Sequence, residues 1–209
     1  MNYDLLLLPS GAATIADVDE YLSTQQGRTE TETVATIAAE LNKRNSELPA
    51  ADTFLGTESV GGAPSGAVLH VSSPYDAIGF VRNLLFELAT PRGYALYDPQ
   101  LAWLVDPAGR VEVAVTHGGA GEFPYLTESL LAQWIPELAD PAPFLIAERA
   151  PEHYIQTYRL DDGYVVEYRD GSAKRHFRLD TADPAEVAAL IWAWATETPR
   201  PADWTRVKL

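Results

Sequence analysis

Three runs of alternating side chains near the carboxy terminus, separated by aspartate–glycine pairs, constrain this chain more than anything else in it. Residues 153–159, 164–169 and 174–179 alternate apolar and polar side chains, the period of a half-buried strand. Asp162-Gly163 and Asp170-Gly171 stand between them, and Asp-Gly is a strong hairpin signal. Asp183-Pro184-Ala185-Glu186 follows, with an N-cap, a proline at the first helical position and an acid completing a capping box. Val187, Leu190, Ile191 and Trp194 then form an apolar stripe, and Pro199 and Pro201 end the helix. The pattern predicts a three-stranded antiparallel sheet packed by one helix, with a further strand at 204–209.

The amino-terminal half has a different rhythm. Residues 3–8 are apolar and end at Pro9-Ser10-Gly11, as a buried strand does before a turn. Thr14 with Asp17, and Thr29 with Glu32, mark the starts of two helices, the second running to about Asn45. Strands are predicted at 53–58 and 67–72, joined by a loop carrying Gly61, Gly62, Pro64 and Gly66. Ser73-Pro74-Tyr75-Asp76 opens a helix striped by Ala77, Val81, Leu84, Leu85 and Leu88. A hairpin of 94–97 and 101–105 closes the half. Strand, helices, strand, strand, helix, strand is the order of a ferredoxin-like unit. The expected architecture is therefore α+β: a ferredoxin-like domain over 1–109 and an antiparallel sheet plus helix over 110–209. Between them, 111–115 reads as a strand, 127–135 as a short helix, and the proline- and alanine-rich 137–143 as a linker.

With 209 residues and 46% hydrophobic content, the chain can build a substantial core. It has no cysteine, which excludes disulfides, thiolate nucleophiles and cysteine-ligated zinc. The leucines between Asp4 and Pro9 are too few for a signal peptide, and no apolar run approaches a membrane span, so a cytoplasmic protein is expected. The net charge of −15 repels phosphate backbones and anionic lipids and favours a basic protein partner, although acidity also serves solubility. Neither nucleic acid nor membrane is expected as a partner.

Alternation sorts the carboxy-terminal strands into two faces. Ile155, Thr157, Val166, Tyr168, Phe177 and Leu179 share the one the helix covers; Tyr154, Gln156, Tyr158, Glu167, Arg169, Lys174, His176 and Arg178 share the other. Tight hairpins would set Gln156, Glu167 and His176 side by side, where a carboxylate orienting an imidazole could do acid–base chemistry. A solvated face laced by charge pairs is the simpler account of the same residues. The loop His117-Gly118-Gly119-Ala120-Gly121 resembles an oxyanion or phosphate-binding turn. No GxSxG nucleophile and no Walker lysine accompanies it, so a flexible or partner-binding loop is expected. His70, His117, His153 and His176 show no metal-ligand spacing; His70, in a strand, reads as structural, and no metal or cofactor is expected. Trp192 falls off the apolar stripe of its helix and is a candidate for exposure.

The run Tyr154-Ile155-Gln156-Thr157-Tyr158-Arg159, then Tyr164-Val165-Val166-Glu167-Tyr168-Arg169-Asp170-Gly171-Ser172, then Arg175-His176-Phe177, resembles a pattern recurring in uncharacterised actinobacterial proteins. Some of these are suspected immunity proteins of polymorphic toxin systems. The resemblance covers the carboxy-terminal third and brings no active-site residues with it. It implies a non-enzymatic protein that occludes the active site of a cognate basic toxin. The expected contacts lie in the acidic amino-terminal domain, the 61–66 loop and the 117–122 loop, with Glu122, Gln156, Glu167, His176 and Trp192 as candidate partner-binding residues. The alternative is a small enzyme or ligand-binding protein using Gln156, Glu167 and His176. Oligomeric state is left open.

Overall fold

A computed structural model describes residues 2–198 and 202–207. The protein is α+β, and the chain divides into two compact units, Met1–Ala108 and Gly109–Leu209.

In the first unit, β1 (Asn2–Pro9) is followed by α1 (Val18–Gln25), α2 (Glu32–Ser46), β2 (Leu69–Pro74), α3 (Ile78–Ala89), β3 (Tyr94–Asp98) and β4 (Trp103–Val105). The strands form an antiparallel sheet in the order β2-β1-β3-β4. The leucine run of β1 is buried on both faces, which explains why it does not alternate. Leu6 and Leu8 pack with Val18, Val68, Ala95, Tyr97 and Leu104, flanked by Tyr21 and Leu22 of α1. Leu5 and Leu7, pointing to the other side, are equally inaccessible. Thr31, not Thr29, caps α2, its hydroxyl accepting from the Val34 amide at 3.4 Å.

The strand expected at 53–58 does not form. Those residues run as irregular chain, with a single sheet-like bond from the Gly56 amide to the Ser72 carbonyl at 2.7 Å. Side-chain bonds from α2 compete for this backbone: the Asn45 carboxamide oxygen accepts from the Phe54 and Leu55 amides. The glycine loop after it is held rather than loose. Asn42 exchanges two hydrogen bonds with Val60, and Glu30 accepts from the Gly62 amide. Gly61, at φ +86°, sits where a Cβ would lie 2.6 Å from the Ala38 methyl carbon.

The second unit contains β5 (Ala114–His117), β6 (Gly121–Phe123), α4 (Glu128–Trp134), β7 (Phe144–Ala150), β8 (His153–Leu160), β9 (Gly163–Asp170), β10 (His176–Thr181), α5 (Pro184–Ala195) and β11 (Thr205–Arg206). The three strands read from sequence are the middle of a seven-stranded antiparallel sheet, ordered β11-β10-β9-β8-β7-β5-β6. The predicted 204–209 strand survives as β11; Lys208 and Leu209 lie outside the described residues, as do Pro199 and Pro201, which were expected to end the helix. The expected linker at 137–143 is part of this unit. Leu138 is fully buried, and the Leu138 carbonyl accepts from Arg159 at 2.9 Å.

The capping of α5 differs from a full box. Asp183 accepts from the Ala185 amide at 2.9 Å, but Glu186 turns to the Thr181 hydroxyl. Val187, Leu190, Ile191 and Ala195 form the buried side of α5, which packs on β8, β9 and β10. Trp134 of α4 meets His117 and Phe123 with ring centroids 5.8 and 4.6 Å apart.

Candidate functional site

The helices of the second unit cover one sheet face. Burial alternates along the central strands: Leu145, Ala147, Ile155, Thr157, Tyr164 and Val166 are buried, while Phe144, Ile146, Gln156, Val165 and Glu167 are half-exposed. Among the described residues, no helix of the unit lies over this second face. Alternation assigns Ile155, Thr157 and Val166 to the first face and Gln156 and Glu167 to the second, and the structure keeps them there; the residues of β7, with Tyr164 and Val165, join these faces only in the structure.

The register differs in one place. β8 and β9 are joined by the tight Asp161-Asp162 turn, which pairs Gln156 with Glu167. β9 and β10 are joined by a longer loop, Gly171 to Arg175, with Gly171 at φ +75° and a turn of 3-10 helix. His176 therefore pairs with Arg169, and Arg178 takes the place opposite Glu167 that a two-residue loop would have given His176. The displacement is an even number of residues, so the β10 side chains keep their faces, while Lys174, expected to begin the strand, lies in the 3-10 turn before it.

One cross-strand row runs over all seven strands: Glu122, Thr116, Ile146, Gln156, Glu167, Arg178 and Thr205. Three of the candidates, Glu122, Gln156 and Glu167, stand in it. Gln156 donates through Nε2 to Glu167 Oε2 at 3.0 Å. His176, one row away, brings Nε2 to 3.4 Å from the same oxygen, within ion-pair range but without hydrogen-bond geometry. Its side chain is only 11% exposed. Trp192 is not part of this constellation: it is half-buried on α5, on the helix side of the sheet.

Beside the row lies a groove of about 380 Å³ lined by Phe144, Ile146, Gln156, Tyr158, Val165 and Glu167, with the backbone of Thr157 beneath. Its walls are apolar and its polar end carries one carboxylate and one carboxamide. His176 does not line it. The wall residues of β7 were missed from sequence because Phe144-Leu145-Ile146-Ala147 follows the prolines of a supposed linker. That apolar run was the available signal.

The rim is charged. Glu152 accepts from Arg169 at 2.8 Å, which raises the Arg169 guanidinium above its ordinary value, and Arg169 lies 5.5 Å from the Tyr154 ring centroid. Arg178 donates to Asp180 at 3.0 Å. The Asp170 carboxylate lies between His153 and Arg175, at 3.5 and 3.2 Å.

The glycine-rich loop after His117 is the turn of the β5–β6 hairpin, not the entry to a helix. Its amides are used internally: Gly118 donates to the Phe144 carbonyl, Gly119 to His117 Nδ1 and Ala120 to the His117 carbonyl. A Cβ on Gly118 would lie 2.1 Å from the Ala142 carbonyl oxygen, so close backbone approach explains the glycine. These donors do not converge on a shared anion site. His117 itself is buried against Trp134, whereas His70, read as structural, projects from β2 into solvent.

The first unit holds a buried polar cluster around Tyr3 and Asp98. Tyr3 donates to Asp98 Oδ2 at 2.6 Å, and Asp98 Oδ1 accepts from the Gln100 and Leu101 amides. Burial, reinforced by Asp98, pushes the Tyr3 phenol well above its usual range; burial also lowers the Arg82 guanidinium, which Tyr3 and Asp98 partly offset. The cluster ties β1 to the β3–β4 turn. Among the described residues, no group of three or more His, Asp or Glu is placed to hold a metal ion, and no helix is long and apolar enough to cross a membrane. No family model matches the chain, and neither a curated protein nor a solved structure does.

Proposed function

We propose that the chain is a binding protein that neutralises a basic partner, an immunity protein of the kind its carboxy-terminal third resembles, acting by occluding a toxin's active site in the cytoplasm. The observation that carries this reading is the open face of the second unit's sheet. A seven-stranded surface with a half-exposed apolar groove and a charged rim suits a protein interface, where an apolar centre supplies affinity and rim charges supply orientation. The net charge of −15 adds electrostatic steering toward a cationic target. Glu122, Gln156, Glu167 and His176 are the contact residues on this reading.

The test is to capture the partner from lysate of the source organism and follow its enzymatic activity during titration with this protein. Activity should stop at equimolar protein, and the on-rate should fall by roughly 10–1,000-fold from low to high salt. A neutral or acidic partner, or an on-rate indifferent to salt, counts against it.

A second reading, a small enzyme or ligand-binding protein, draws on the same groove, because Gln156 and Glu167 line it and His176 stands behind the carboxylate. Glu167→Gln separates the two: it abolishes turnover in an enzyme that needs the base and only weakens a binding protein. The ferredoxin-like description of the first unit is likewise part of the proposal. It is supported by the β2-β1-β3 order, the helices connecting those strands, and the Gly56–Ser72 bond where a further edge strand would pair.

A further inference from the structure

We infer that the groove between β7, β8 and β9 is a receptor for one arginine side chain of the partner, an inference that rests on the binding reading and names its central contact. The second unit holds two of its own arginines with the same device, an aromatic face and a carboxylate. Arg149 lies 5.0 Å from the Trp194 ring centroid and pairs with Glu197. Arg169 lies 5.5 Å from the Tyr154 centroid and pairs with Glu152 at 2.8 Å. The groove presents the same two parts without a guanidinium: Phe144 and Tyr158 on its walls, Glu167 at its polar end.

The acceptors there are not exhausted. Glu167 is acceptor-only when ionised, and its Oε2 is engaged by Gln156, leaving Oε1 without a hydrogen bond among the described residues. Because Gln156 must turn its NH₂ to the carboxylate, its carboxamide oxygen is a second open acceptor. Three basic groups stand near Glu167, and none lines the groove. Arg178, opposite Glu167, gives its Nε to Asp180; Arg169 feels the Glu167 charge but donates to Glu152; His176 stands behind Oε2. Tyr158 is 45% exposed, an aromatic surface available for stacking.

Size and chemistry select the occupant. A space of about 380 Å³ is near the lower end of ligand sites, enough for one long side chain and too small for a helix. Ile146 and Val165 suit an aliphatic stem, and the ring beside a carboxylate suits a planar, forked cation better than an ammonium. The charge of −15 makes a basic partner the complementary one.

The probe is a capped Gly-Arg-Gly peptide, titrated into the isotope-labelled full chain and followed by NMR, with the citrulline and lysine peptides beside it. The arginine peptide should shift resonances of Ile146, Gln156, Tyr158 and Val165, the lysine peptide should bind more weakly, and the neutral citrulline peptide should leave them in place. Glu167→Gln should remove the response while the rest of the spectrum is unchanged. Tyr158→Leu, which keeps an apolar wall, should weaken binding about tenfold. Equal shifts from arginine and citrulline, or none up to roughly ten-millimolar peptide, a range where a single weak contact still registers, would overturn the inference. Peptide binding without any basic partner in the cell supports the groove and sinks the immunity reading. A basic partner that binds while the peptide does not has the reverse meaning.

Discussion

The two faces of the seven-stranded sheet are made by the same strands and do opposite work. On one, Leu145, Ala147, Ile155 and Val166 are at most 1% exposed beneath α4 and α5, and the strands gain their stability there. On the other, Phe144, Ile146, Gln156, Val165 and Glu167 are half-exposed, and the side chains meet each other rather than a second layer. Apolar residues left on an uncovered face add little to stability, and on the proposed reading a partner covers them. The difference teaches that the residues that hold this unit together and those that stand open to solvent are separate sets, so the proposed binding can be tested apart from stability.

The sharpest way to break that separation is to cut into each face and compare. Trp134→Ala removes a fully buried ring that touches His117 and Phe123, and should cost about 3–5 kcal/mol in urea unfolding. Gly118→Ala, in the hairpin turn, forces a Cβ against the Ala142 carbonyl and should cost about 1–3 kcal/mol by the same measurement. Asp183→Ala removes the N-cap of α5, the helix that closes the covered face, and should cost about 1 kcal/mol. Glu167→Gln and Gln156→Ala on the open face should each stay within about 0.5 kcal/mol of the parent. A large loss from either open-face change would mean that this surface holds the fold together, and the contrast between the faces would collapse.

Much of this was legible in the residues themselves. The alternation of 153–159 and 164–169 assigned Ile155 and Gln156 to opposite faces, and period 2 survives any even error in register. The loop after Asp170 was harder to read, because Asp-Gly can open a longer connection as well as a tight turn, and only the folded chain shows that 3-10 geometry follows Gly171. The missing strand at 53–58 has a similar cause. Its composition permits a strand, but Asn45 and Asn42 on α2 take up nearby backbone groups, and contacts so far apart in sequence leave no local trace. β7 was hidden behind Pro141 and Pro143, which precede it, and with it the apolar half of the groove. The candidate residues were thus named without the groove walls that stand beside them.

The most direct test of the central claim, that binding belongs to the open face, is the affinity of the captured partner for three forms of the protein: parent, Tyr158→Ala with Glu167→Gln, and Trp192→Ala. The first change strikes the groove; the second strikes α5 on the covered side. With folding verified for each, the groove variant should bind at least about 30-fold more weakly, the loss typical of a hot spot, while Trp192→Ala binds as the parent does. Parent-like affinity in the groove variant, with the loss falling instead on Trp192→Ala, would contradict the claim and move the interface to the helix side.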